Sequence, residues 1–294
     1  ICQIITAMNE CLGIRSISRI FGIDKNTALN YLESAAGQCR KVSDYFLQGL
    51  HVEECQIDEL WSFVRKKKKS LTDAEKWVKT MGDVWIMTAF DARNKILPEY
   101  QMGRRTAGNT RILLKNFKAR TDGSVPFFTS DEFRYFPEAI LSAYGKEENH
   151  RLVAPKELKY AVVRKCRRKG RVIAIKLKVI FGSKRAVSRI LKKSPVSNTI
   201  NISFVERSNL TRRHYNRRLC RKTICFSKKF ENHYYQFEVE RALYHFCRPH
   251  RGLKRKMADG RQTYITPMMA TGKTDHVWSV EELLSFNPTE SVRE

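Results

Sequence analysis

The sequence predicts an α/β fold: a mixed sheet flanked by helices, preceded by a small all-α segment. Three observations carry that prediction. Apolar side chains recur at helical spacing through the first 45 or so residues. Three consecutive stretches between residues 55 and 102 read as strands. Beyond them, helical and extended stretches alternate before two long helices, an order typical of a sheet with helices on its faces.

Residues 14–21 place apolar side chains at 14, 17, 20 and 21, and Gly22 then breaks the run. Asp24 is a suitable N-cap for a helix from Lys25 to Glu33. Helix, short glycine turn and helix is the helix-turn-helix pattern. Its second helix offers Lys25, Asn26, Thr27 and Asn30, side chains able to reach phosphates and base edges. The same spacing also describes an ordinary helical hairpin, and both readings stand.

A linker near residues 43–52 leads into a strand at 55–64, where apolar and polar residues alternate. A second strand covers 82–91 and a third 95–102, close enough to form a hairpin. The basic cluster at 65–70 is expected to project into solvent. A helix at 106–119 has Ile112, Leu113 and Phe117 on its inner side, and a buried strand at 125–130 ends at Asp131. A helix at 136–144 stops at Gly145. Strands at 158–163 and 172–181 flank a basic loop at 164–171. Ser203 is placed as the cap of a helix running to about Leu219, with Phe204, Leu210 and Tyr215 inward, and a second long helix spans 230–246. The expected domains are 1–48 for the helix-turn-helix, 52–250 for the main core and 251–294 for a C-terminal tail.

Composition bounds the function. With 42% hydrophobic residues the 294-residue chain is not disordered throughout. No run approaches the roughly 18 apolar residues of a membrane span and no signal peptide opens the chain, so a cytoplasmic protein without membrane contact is expected. The chain starts at Ile1 rather than Met, as a truncated or partial reading frame would. Its eight cysteines form no C-x-x-C pair and read as reduced thiols. Of a net charge of +26, most lies between Arg151 and Lys229, where 25 Lys and Arg meet two acids, Glu157 and Glu206, an excess of 23. Such concentration calls for a polyanionic partner, nucleic acid first.

Three acids sit where sheet folds place ligand sites: Asp58 within a strand, Asp131 at a strand end, Glu206 in the first turn of a helix. Carboxylates brought together there need divalent cations, and hard oxygen donors suit two Mg²⁺ or Mn²⁺ ions. Glu206 is the sharpest member, being the one acid between Lys159 and Lys229. Asp122, in a TDG string at 121–123, is set aside because it closes a helix, whereas Asp131 ends the strand.

Several strings resemble the DDE-type bacterial transposases, most closely the insertion-sequence-one family: residues 13–32, QIDELWSFV at 56–64, GDVW at 82–85 with FD at 90–91, SFVERSNLTRR at 203–213, FSKKFENH at 226–233 and TPMMATGKTDHVW at 266–278. The resemblance implies an RNase H-like core in which Asp58, Asp131 and Glu206 hold two metal ions and cleave and join DNA strands. It further implies that Arg213, seven residues after Glu206, positions a phosphate, and that a dimer or larger multimer brings two transposon ends together on double-stranded DNA. Glu132 departs from the family, which has Gly after its second Asp. Lys66, Lys67, Lys68, Arg167 and Arg168 are expected on the DNA backbone. His214, His233, His245 and His250 read as structural or exposed, and Trp61, Trp77, Trp85 and Trp278 as core or interface anchors. A non-catalytic DNA-binding regulator, a decayed transposase and an RNase H-like nuclease that does not join strands remain alternatives.

Overall fold

The computed structural model describes residues 1–78, 80–256 and 260–288. It is an α/β structure whose chain divides into two compact units, one of Ile1–Leu47, Trp61–Trp85 and Asn209–Glu294, the other of Gln48–Leu60 and Ile86–Ser208.

The first unit opens with helices α1 (Cys2–Met8), α2 (Ile14–Phe21) and α3 (Lys25–Phe46). Gly22 closes α2 with φ +65°, a left-handed turn that favours glycine. Asp24 Oδ1 caps α3 by accepting from Asn26 N–H at 2.7 Å. Helix α3 extends well past Glu33 because Leu32, Ala35, Ala36, Cys39 and Val42 continue its buried stripe. Ile20 points outward: an eight-residue helix buries a narrow stripe, and α2 gives it to Ile17.

The sheet strands are β1 (Glu54–Val64), β2 (Gly82–Asp91), β3 (Ile96–Gly103), β4 (Phe127–Asp131), then, after a small hairpin β5 (Lys146–Glu148) and β6 (Arg151–Val153), β7 (Lys159–Arg168) and β8 (Arg171–Phe181). Their order across the six-stranded sheet is β3-β2-β1-β4-β7-β8. Pairing is parallel for β1–β4 and β4–β7 and antiparallel for β7–β8, so the sheet is mixed. The expected loop at 164–171 is corrected: β7 runs on through Arg168 and turns within Lys169 and Gly170, both at positive φ. Cross-strand pairing wins there because β8 supplies ladder partners that a sequence reading of β7 alone lacks.

A one-turn helix α4 (Asp73–Lys76) lies between β1 and β2, and helices α5 (Ala107–Arg120), α6 (Phe136–Tyr144) and α7 (Lys184–Lys193) follow β3, β4 and β8. Thr106 caps α5. Its inner stripe is Thr110, Leu113, Leu114 and Phe117, while Ile112 is exposed. Thr110 can take an inward place because its hydroxyl donates to the Thr106 carbonyl at 2.9 Å. Gly145 ends α6 without a left-handed turn; a Cβ there would collide with the Leu141 carbonyl. Helix α7, which the sequence reading missed, is capped by Ser183 and buries Val187 and Leu191.

Helix α8 (Ser203–Tyr215) stops short of Leu219. Ser203 lies inside it rather than capping it, and Asn201 Oδ1 accepts from Ser203 N–H at 3.1 Å. The buried stripe is Val205, Ser208, Asn209 and Arg212, and Leu210 faces outward. A charged residue replaces the expected leucine because Arg212 Nη1 meets Glu240 Oε2 at 2.7 Å on α9 (Phe230–Phe246). From Gln236 to Phe246, α9 is buried without interruption. Beyond it, Trp278 packs at a tilt against Phe246 and edge-on to Phe46, at centroid separations of 4.9 and 5.4 Å. Trp77, by contrast, is 85% exposed and anchors no core. No helix among the described residues is long and apolar enough to cross a membrane.

The Arg212–Glu240 pair is 1% and 0% exposed. Removing one partner leaves a buried charge alone, so Glu240→Ala should lower unfolding free energy by about 3–5 kcal/mol in urea titrations. The double change Arg212→Met, Glu240→Leu should recover most of that loss. Equal loss in both proteins would contradict a penalty from the stranded charge.

Candidate active site

Backbone register builds the site before any side chain is considered. The parallel β1–β4 ladder pairs Gln56 with Thr129 and Ile57 with Ser130. One step further along that register sets Asp58 beside Asp131, and neighbours in a parallel pair project from the same face. The β4–β7 ladder pairs Asp131 with Val163. Lys165, two residues on, shares that face because side chains alternate along a strand.

Gln56 brings in the third acid. It lies two residues before Asp58 and so on the same face. Its Oε1 accepts from Val205 N–H at 3.0 Å and its Nε2 donates to the Asn201 carbonyl at 3.0 Å. This amide clasps the start of α8 to the sheet, and Glu206 follows Val205 directly. Asp58, Asp131 and Glu206 all line one cavity of about 710 Å³, together with Arg105, Lys165 and Arg167. Asp122 lies elsewhere: its carboxylate is held by Ser124 and by His51 Nδ1 at 2.7 Å, which depress its pKa to about 2.

The electrostatics are those of crowded, partly dry carboxylates. Burial raises the Asp131 pKa and the nearby Glu206 charge adds to the shift, against Arg105, a backbone hydrogen bond from Phe133 and Lys165. Glu59 is pushed to about 7, mainly by burial, with Asp131 and Asp58 adding; its hydrogen bond and ion pair with Arg105, at 2.6 Å, pull the other way. Glu206 forms an ion pair with Lys165. Glu132, the departure noted above, pairs with Arg164 at 3.3 Å, so its charge is balanced locally. Asp131 Oδ1 is buried and accepts no hydrogen bond.

That orphaned oxygen, among carboxylates in an open cavity, fits a hard divalent cation by donor chemistry. No group of three or more His, Cys, Asp or Glu side chains is already arranged to hold an ion among the described residues. Glu206 is instead engaged by Lys165 in their ion pair.

The expected DNA contacts are distributed differently. Lys25, Asn26 and Asn30 are exposed on α3, and Thr27 is half-buried. Lys66 pairs with Glu75 at 2.6 Å. Lys67 Nζ donates to the Arg221 carbonyl at 3.2 Å and lies over the Trp61 and Phe63 rings, while Lys68 is exposed. Arg167 lines the cavity, and Arg168 is exposed at the end of β7. Arg213 belongs to the other unit, where Nη2 donates to the Trp61 carbonyl at 3.4 Å. Arg105, Glu59 and Gln56 were missed by sequence reading, and Lys165 was read only as part of the basic stretch at 164–171, expected on DNA backbone. The alternation through QIDE could have flagged Gln56 as sharing the Asp58 face; nothing local marks Lys165 among so many basic neighbours. No family model matches the chain, and no curated protein matches it.

Because the folded state holds the Glu59 proton to a higher pH than the unfolded chain does, folding takes up protons between the two pKa values. Stability therefore falls as pH rises from about 4.5 to about 7. Glu59→Gln should flatten that slope in unfolding measurements across pH 4.5–7. An unchanged slope would show that Glu59 titrates normally in the fold.

Proposed function

We propose that this chain is a DNA transposase of the DDE type, with an RNase H-like core and an N-terminal helix-turn-helix that binds transposon-end DNA. The observation that carries the reading is that Asp58, Asp131 and Glu206 line one cavity, with Asp58 and Asp131 each following the last pair, Ile57 and Ser130, of the β1–β4 ladder. The concentrated basic charge between Arg151 and Lys229 supports a nucleic-acid substrate.

In this reading Asp58, Asp131 and Glu206 would hold two Mg²⁺ or Mn²⁺ ions, Glu206 in place of its ion pair with Lys165. Bound there, the ions supply charge neutralisation and Lewis-acid activation of the attacking and departing oxygens of a phosphodiester. The Lys165 ammonium, in the same cavity, would then serve as a partner for substrate phosphate, and Arg105 would add a second positive charge. Arg167 and Arg168 extend that charge along β7 towards flanking DNA backbone. The same residues serve hydrolysis that frees a 3′-hydroxyl and the attack of that hydroxyl on target DNA, with two ends held by a dimer or multimer.

The test is a cleavage and joining assay on DNA carrying the element's terminal repeats. Wild-type protein should nick and join only with Mg²⁺ or Mn²⁺ and lose activity in EDTA. Asp58→Asn, Asp131→Asn and Glu206→Gln should each lose more than about a hundredfold, a loss that outer-shell metal partners alone can reach. Cleavage that survives these substitutions would remove the site from the reaction. Hydrolysis without joined product would instead indicate a nuclease, and DNA binding without cleavage a regulator or a decayed copy.

A further inference from the structure

A second cavity, of about 610 Å³, lies wholly within the unit that contains α1–α3 and α9. It owes nothing to the carboxylate site. Six cations line it, Arg15, Arg19, Lys25, Arg217, Arg218 and Lys228, and among the described residues its lining includes no Asp or Glu. Apolar side chains form the rest of the wall, including Leu12, Leu29, Ile224 and Phe226.

Two buried amides complete it. Asn216 is 1% exposed and Gln236 3% exposed, yet Asn216 Nδ2 and Gln236 Nε2 donate to nothing. The orientation of Asn216 is fixed, because its Oδ1 accepts from Arg218 N–H at 3.1 Å, which leaves its NH₂ as the free end. Buried donors without partners are costly, and both of these belong to residues that line the cavity.

The three features select a ligand class. The missing carboxylates and six cations reject cationic ligands and favour an anion. Inorganic phosphate would satisfy the cations but would leave the apolar wall bare. A fatty acid would cover the wall, but with its single carboxylate held by the cations it would leave the two buried amides without acceptors. A nucleotide answers all three, with phosphate for the cations, a flat base for the apolar wall beside Phe226, and ring nitrogens or carbonyls for the amides. We propose that this cavity binds one nucleotide, its base inside and its phosphate on the arginines. The source is either a free nucleotide or a nucleotide unstacked from a DNA strand, which costs a few kcal/mol of stacking.

The test uses the full chain. Calorimetry with each of the four 5′-deoxynucleoside monophosphates reports the free source. Duplex DNA with 2-aminopurine placed along the bound site reports the strand source, since the probe brightens when unstacked. At least one signal should be present in the wild type. Gln236→Leu, which keeps bulk and removes the donor, should weaken it about tenfold, as should the exposed double change Arg15→Ala, Arg19→Ala. Thermal melts confirm that both variants fold. Nucleotide binding with dark 2-aminopurine assigns the free source, and brightening assigns the strand. Absence of both signals in the wild type, indifference to both variants, or inorganic phosphate binding as tightly as nucleotide would overturn the proposal. None of these readouts depends on cleavage, and the calorimetry with free nucleotides does not depend on DNA binding either, so that arm stands if the transposase reading fails.

Discussion

The parallel pairing of β1 with β4 is the constraint on which the candidate site depends. A parallel ladder can shift only by whole residues, and a shift of one residue would turn one aspartate to the opposite face. Burial of Ile57 and of Phe128 beneath the sheet makes that shift expensive. Core packing therefore sets the distance between two carboxylates that would otherwise repel each other. The Gln56 amide then ties the start of α8 to the same face, and Glu206 comes with it.

Holding like charges together leaves marks elsewhere in the unit. Burial and mutual repulsion raise the pKa values of Asp131 and Glu59. Arg105 and Lys165 offset part of the charge, the first on Glu59 and the second on Glu206. What is left over is Asp131 Oδ1, buried without a partner. An arrangement of this kind is poor as a structural device, since a buried acceptor without a donor costs stability. It is well suited to a ligand that carries positive charge, and Glu206, the most exposed of the three acids, is the group free to exchange one cation for another.

Much of this fold is written in local pattern. The strands from 55 to 103, the α6 span and the whole of α9 follow from alternation, apolar runs and their glycine or capping neighbours. The three acids were visible because each stands in an unusual place, Glu206 most of all as a lone acid in basic sequence. Faces were harder to read. Leu210, Ile112 and Ile20 turn outward because Arg212, Thr110 and Ile17 take the inner places, and two of those depend on a hydrogen bond or an ion pair rather than on hydrophobicity. Register is not a local property at all, so the alignment of Asp58 with Asp131, and the presence of Lys165 beside Glu206, appear only once strands distant in sequence are paired. The buried amides of Asn216 and Gln236 were equally silent, since their meaning lies in what fails to bond with them.

The most direct measurement is Mn²⁺ binding by the full chain, followed by titration calorimetry and by the loss of the free-ion paramagnetic resonance signal near pH 8. A site built by the β1–β4 register should take up two ions per chain, lose most of that affinity in Asp131→Asn, and bind more tightly in Lys165→Ala, where no ammonium competes for Glu206. An absence of Mn²⁺ binding, or binding unchanged by Asp131→Asn, would contradict the assignment of this cavity as a metal-holding site.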